Sequence, residues 1–226
     1  MSTSVRPIVN LVRDLEGVFA RYAPFRIQYA PDELICQSGS YAAGVYLVTA
    51  GIAQEWYVDR VNKESETPTG LLGVGDLIGS ELMLAEDVDL HRTSCRAVSC
   101  VSLSFLERSA FEAAMEDHQV LRRFVMARLA ERGFDLSRAL WRSQLTAEER
   151  VCTLLLDSTR FGESVGGVVS LPEEIDLRLL AGLTYLSLRK VKQACEAFPG
   201  VKWKERRLTF SPDELARWRL DTASWP

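Results

Sequence analysis

From Phe25 to about Leu106 apolar and polar positions alternate in short runs: RIQYAP, ELICQSG, GVYLVTAG, IAQEWYVD and, later, RAVSCVSLSFL. Glycines and polar turns separate them. A period of two predicts half-buried strands, and many short strands with Gly and Pro punctuation predict a jelly-roll-like or barrel sandwich. The polar stretch Val61–Gly70, with Pro68, reads as a hairpin tip. Around this block the period becomes helical, over Pro7–Tyr22, Ser109–Asp117 and His118–Gln144.

The long helix carries two apolar stripes. One holds Val125, Leu129, Gly133, Leu136 and Leu140; the other holds Ala127, Phe134 and Trp141. Arg122, Arg123, Arg128, Arg132, Arg138 and Arg142 fill the positions between. One stripe can pack on the chain's own sandwich, and the second predicts a partner helix in a homodimer. A helix buried on two sides of one monomer is the alternative. So many arginines interrupting the apolar surface favour the dimer.

A new element starts at Thr146, where Thr146-Ala-Glu-Glu149 reads as a capping box and places a boundary near Gln144–Thr146. The helix of VCTLLLDSTRF, a turn and strand in ESVGGVVSLP, and two further helices follow. The run Leu177–Phe198 reads as a helix, a Gly182-Leu183-Thr184 corner and a second helix. On that second helix Leu188, Val191, Cys195 and Phe198 fall on one side, at the spacing of a buried stripe. Leu186, Arg189, Lys190 and Gln193 occupy the opposite side, with Lys192 on the flank. A basic helix held by its apolar back after a tight corner is what a helix-turn-helix presents to a DNA major groove. Two short strands around Lys204-Glu205-Arg206, then a last helix opened by Ser211-Pro212, complete a winged helix. The chain is thus read as α+β, with a sensor-like sandwich domain at 1–117, a dimerisation helix at 118–144 and a winged helix-turn-helix at 145–226.

Composition narrows the function. Hydrophobic residues make up 47% and charged residues 26%, as in ordinary globular proteins. No apolar run approaches the roughly 20 residues of a membrane span, and no secretory leader is evident, so the protein is expected in the cytoplasm. The five cysteines are scattered without a CxxC, which excludes a zinc knuckle or a cysteine-rich iron–sulfur cluster. A net charge of −4 argues weakly against nucleic acid, but it conceals a basic patch. From Arg189 to Arg207, seven cations stand against Glu196 and Glu205 only.

With the order sandwich, long helix and winged helix in place, the chain resembles the Crp/Fnr superfamily of bacterial transcription regulators along nearly its whole length. The matching residues are Gln37-Ser-Gly39, Tyr46–Gly51, Gly75-Asp76-Leu-Ile-Gly79, Arg92-Thr93, Gly182-Leu-Thr184 and Ser187–Lys190. The resemblance implies a small-molecule sensor, a homodimer through the long helix, a palindromic site on double-stranded DNA, and RNA polymerase as a partner. Cyclic-AMP-binding members have a Gly followed at once by Glu, then an Arg-Ser pair. Here Gly79 is followed by Ser80, with the acid one place on at Glu81, and Arg92-Thr93 replaces Arg-Ser. Gly79, Glu81, Arg92 and Thr93 are the effector-binding candidates, and the departure argues against cyclic AMP. Haem would need an axial ligand, and the histidines are His91 and His118 alone. No cofactor is certain, with a cyclic nucleotide or haem the ones considered. Cys195 is a candidate redox switch if Lys190 and Lys192 lower its thiol pKa; on the apolar back of its helix, a core cysteine is the simpler reading.

For DNA, the resemblance places Tyr185 and Leu186 where well-known members carry a base-reading Arg-Glu pair, and Lys190 where a later Arg stands. Arg189 and Lys190 can donate to guanine O6/N7, Gln193 can pair with adenine, and Leu186 can pack on a thymine methyl. Thr184, Tyr185 and Ser187 are expected on phosphates, with Lys204 and Arg206 of the wing beside them. The half-site is therefore expected to differ from TGTGA. An enzyme finds no support, as there is no nucleophile elbow, P-loop or metal-spaced acids. The acidic group Glu81, Glu86, Asp87 and Asp89 reads as a solvated loop. The other rival is a regulator that acts through protein contacts with a degenerate helix-turn-helix. Arg178, where the superfamily usually has a small residue for close helix packing, lends it some support.

Overall fold

The computed structural model describes residues 6–22, 24–58, 66–79, 89–142, 145–204 and 206–222. Contacts divide the chain into two units, Met1–Ser137 and Arg138–Pro226, a division that falls inside the long helix.

The first unit opens with α1 (Arg6–Ala20) and continues through eight strands: β1 (Phe25–Tyr29), β2 (Leu34–Cys36), β3 (Gly44–Ala50), β4 (Ala53–Val58), β5 (Glu66–Leu72), β6 (Leu77–Ile78), β7 (Thr93–Ala97) and β8 (Val101–Glu107). These form two antiparallel four-stranded sheets, ordered β1-β8-β3-β6 and β2-β7-β4-β5. Then come α2 (Arg108–Asp117) and α3 (Gln119–Arg142). The expected sandwich is present. Ile35, Cys36, Ala53, Cys95 and Ala97 of one sheet pack against Val48, Ile78, Val101 and Leu103 of the other. The first sheet is buried on its other face too, where Val45, Leu47, Leu77 and Leu106 meet Leu15 and Phe19 of α1, Phe111 and Ala114 of α2, and Leu121 and Val125 of α3. Burial on both faces explains why GVYLVTA is an almost unbroken apolar run rather than a strict alternation.

Two details differ from the sequence reading. RAVSCVSLSFL is not one strand, because the chain turns between Ala97 and Val101. Gly51 permits the β3–β4 turn, with φ of 85° and a carbonyl of Cys100 standing where a Cβ would go. Pro68 is not at a tip but inside β5, opposite Trp56 beside a bulge. β5 is an edge strand, where the missing amide breaks no ladder. The tip itself, 59–65, lies outside the described residues, as do the side chains of Arg132 and of residues 134–142, which carry most of the second stripe of α3. On its described part, Leu121 and Val125 are fully buried, while Ala127, Met126 and Gly133 are exposed. Arg122 caps α2 by donating to the Met115 and Glu116 carbonyls at 3.0 and 2.9 Å.

The second unit contains α4 (Ala147–Ser158), β9 (Glu163–Val165), β10 (Val168–Ser170), α5 (Leu177–Thr184), α6 (Leu188–Ala197), β11 (Lys202–Lys204), β12 (Arg207–Phe210) and α7 (Pro212–Thr222). The Thr146 capping box is complete: its hydroxyl accepts the Glu149 amide, and Glu149 accepts the Thr146 amide. ESVGGVVSLP is a full hairpin, with Gly166 and Gly167 both at positive φ (59° and 79°), as a two-residue turn of twisted strands requires. The wing is consequently half of a four-stranded sheet, ordered β11-β12-β10-β9. Val151, Leu155, Leu180, Val191, Leu208, Phe210 and Leu215 form the core, each fully buried.

Candidate nucleic-acid interface and sensor pocket

The corner between α5 and α6 sits later than Gly182-Leu183-Thr184. Those three residues remain helical, and the chain turns at Tyr185, whose backbone is left-handed (φ 57°, ψ 34°). The Tyr185 amide donates to the Gly182 carbonyl and the Leu186 amide to that of Ala181, at 3.3 and 3.2 Å. This is a Schellman closure with tyrosine where glycine is the usual occupant. Ser187 then caps α6, its hydroxyl accepting the Lys190 amide at 3.4 Å. Leu186 is thus in the turn, half-buried, and not on the helix.

On α6, Val191, Ala194 and Cys195 are buried, whereas Arg189, Lys190, Lys192 and Gln193 are exposed. Two expectations change. Leu188 was placed in the buried stripe, but as the first helical residue it lies at the margin of that face and is 45% exposed. Thr184 was expected on phosphate, but it is buried and its hydroxyl donates to the Leu180 carbonyl at 2.7 Å. Its role is to close the end of α5. Ser187 and Tyr185 are exposed, the latter by 55%. Arg178 is exposed on α5, so it does not stand between packed helices, and the support it lent to a degenerate motif falls away.

In the wing, Lys204 ends β11 and Arg206 forms the turn with φ of 64°, exposed to solvent. The Lys204 side chain and Glu205 lie outside the described residues. Two exposed residues near this surface have no place on it in the sequence reading. Glu196, counted there only against the basic patch, lies seven positions after Arg189, hence on the same outward face, and pairs with Lys192 at 3.9 Å. Trp203, opposite Leu208 in the wing, is 44% exposed. The first could have been found from the helical period; nothing in the alternation of so short a strand marks the second.

Cys195 is the clearest correction. Burial pushes its thiol up to about 11, and the neighbouring Glu196 charge acts in the same direction. Lys190 and Lys192 are exposed while the thiol is buried, so burial keeps it protonated and the basis for a redox switch is removed.

In the sensor unit, Gly79 is buried at φ of 84°. Glu81, and the acids Glu86 and Asp87, lie outside the described residues. Arg92 is exposed. Thr93 donates its hydroxyl to Glu55 Oε1 at 2.8 Å, and Thr69 donates to Oε2 at 2.9 Å. Glu55 is 4% exposed, on β4 opposite Cys95. His91, equally buried, is pushed below the ordinary histidine range by burial, with the Glu55 charge opposing the shift. Neither Glu55 nor His91 was singled out from sequence as part of this polar group. The inward parity that Glu55 shares with Ala53 was the available signal. Asp76, also buried, accepts the Gly73 amide at 2.7 Å and pairs with Arg128 of α3. Among the described residues no group of three or more His, Cys, Asp or Glu could hold a metal. None of their helices is long and apolar enough to cross a membrane.

Residues 26–118 match the family model of the cyclic nucleotide-binding domain. No curated protein sequence matches the chain. Among solved structures, FixK2 from Bradyrhizobium japonicum is 22% identical, with a TM-score of 0.72 over 90% of this chain and 100% of that one. CLP from Xanthomonas campestris, a c-di-GMP-responsive global regulator, is 17% identical, with a TM-score of 0.69 over 86% of this chain and 98% of that one. A CooA mutant from Carboxydothermus hydrogenoformans is 13% identical, with a TM-score of 0.70 over 89% of each. Residues 26–118 are thus similar to a cyclic nucleotide-binding domain, and the chain has the fold of these three proteins.

Proposed function

We propose that the protein is a homodimeric, sequence-specific DNA-binding transcription regulator whose winged helix-turn-helix reads a two-fold site with a half-site other than TGTGA. The observation that carries this reading is α6, buried through Val191, Ala194 and Cys195 and exposing Arg189, Lys190, Lys192 and Gln193 on a separate surface. Arg189 and Lys190 donate to guanine O6/N7 and Gln193 pairs with adenine. Ser187 and the wing residues Lys204 and Arg206 hold phosphates. Such a protein works in the cytoplasm, with RNA polymerase as its further partner, and carries out no catalysis of its own.

The effector is not cyclic AMP, or none is needed. A phosphate at Thr93 would compete with the buried Glu55 carboxylate for the same hydroxyl proton, and two anions at that distance repel. Calorimetric titration with cyclic AMP is expected to show no binding; micromolar association would overturn this part of the reading. The DNA assignment is tested by mobility-shift selection from a random duplex pool with the full-length protein. Enrichment of a palindrome is expected. A pool that never enriches one would leave a regulator acting through protein contacts.

A further inference from the structure

The start of the recognition helix is apolar as well as basic. Tyr185 and Leu188 are 55% and 45% exposed, and half-buried Leu186 lies between them. A bulky residue in the left-handed region is strained relative to glycine, and Tyr185 holds that conformation with more than half of its surface in solvent. Leu188, the first residue of α6, stands at the margin of the buried face with nearly half of its surface in solvent. The apolar group is bordered by the exposed cations Arg189, Lys190 and Lys192. An apolar spot ringed by cations complements a major groove, where phosphates flank base edges and one exposed apolar group is the pyrimidine 5-methyl.

We infer that Tyr185 and Leu188 form a reader of pyrimidine 5-methyl groups, an inference that rests on the DNA-reading assignment of α6. The methyl sits on thymine, or on 5-methylcytosine, and is identical in both. Leu188 packs on it from the helix while the Tyr185 ring covers it from the turn. Specificity at this position then comes from burying one methyl group and needs no hydrogen bond.

The test uses the full-length protein and the duplex enriched from a random pool, with thymines replaced singly by deoxyuridine, which lacks only the methyl. At one position in each half-site, affinity is expected to fall about fourfold per methyl lost. Placing 5-methylcytosine there, opposite guanine, tests the second source. Affinity above that of unmethylated cytosine assigns the reader to both bases; equal affinity restricts it to thymine. Leu188→Ala should abolish the thymine-over-uracil difference while leaving the thermal midpoint near the parent's. Tyr185→Asn, which keeps a residue tolerant of the left-handed conformation, should do so in part. If every uracil substitution changes affinity by less than about twofold, or both variants keep the full preference, the inference is wrong while DNA binding stands. If no duplex is bound at all, the assignment of α6 fails and this inference with it.

Discussion

At the residue scale, environment overrides composition. Cys195 is close in sequence to two lysines, yet burial carries its thiol to about 11, and Cys152 reaches about 11 in the same way. At neutral pH fewer than about one in a thousand of either is thiolate. Brief alkylation followed by mass spectrometry should therefore modify exposed Cys100 first and reach Cys195 only on unfolding. Rapid native labelling of Cys195 would contradict the burial. His91 offers a second check. Its folded pKa lies below the ordinary 6.5, so the fold holds a neutral ring and the unfolded chain binds the extra proton. The associated stability is present above about pH 6.5 and is lost as pH falls toward the folded value. The urea midpoint should drop more steeply below about pH 6.5 in the parent than in His91→Gln. Parallel profiles would show that His91 does not carry the dependence.

Element ends were legible wherever they depend on neighbours in sequence. The Thr146 box and the Ser211-Pro212 start were both readable, and the second is seen in the Ser211 hydroxyl accepting the Glu214 amide at 3.4 Å. Thr146→Ala should cost about 1 kcal/mol in chemical denaturation, and a neutral effect would mean the cap is idle. The corner before α6 was misplaced because glycine is the ordinary turn residue, whereas here Gly182 stays helical and Tyr185 takes the left-handed position. Leu188 was misassigned for a related reason: a wheel gives an angle but not where the helix begins. Alternation could mark Glu55 as inward-facing, but nothing local marks which distant residues pair with it or with Asp76. The Asp76–Arg128 pair joins a turn to a helix some 50 residues further on, and the Glu55 group draws on three strands. Arg128→Met should cost roughly 3 kcal/mol in the same assay by removing the cation that pairs with buried Asp76.

For the whole molecule, order and period gave the sandwich and the helical remainder, since one block alternates with period two and the rest with the helical period, but nothing in the pattern marked the division at Ser137–Arg138 inside the long helix. The proposed dimer turns on α3, whose described part leaves Met126 57% exposed beside Ala127. Ala127→Glu should convert the dimer to monomer in light scattering and weaken binding to a two-fold site more than to a single half-site. An unchanged mass would place the dimer interface elsewhere. The central claim, that α6 reads bases while the wing grips backbone, is tested most directly by titrating Arg189→Ala and Lys204→Ala against every single-base variant of the selected site. Arg189→Ala should relax preference at one symmetric base pair and cost roughly 1–3 kcal/mol on the best site, while Lys204→Ala weakens all sequences alike. Equal losses on every sequence from both variants would contradict the account.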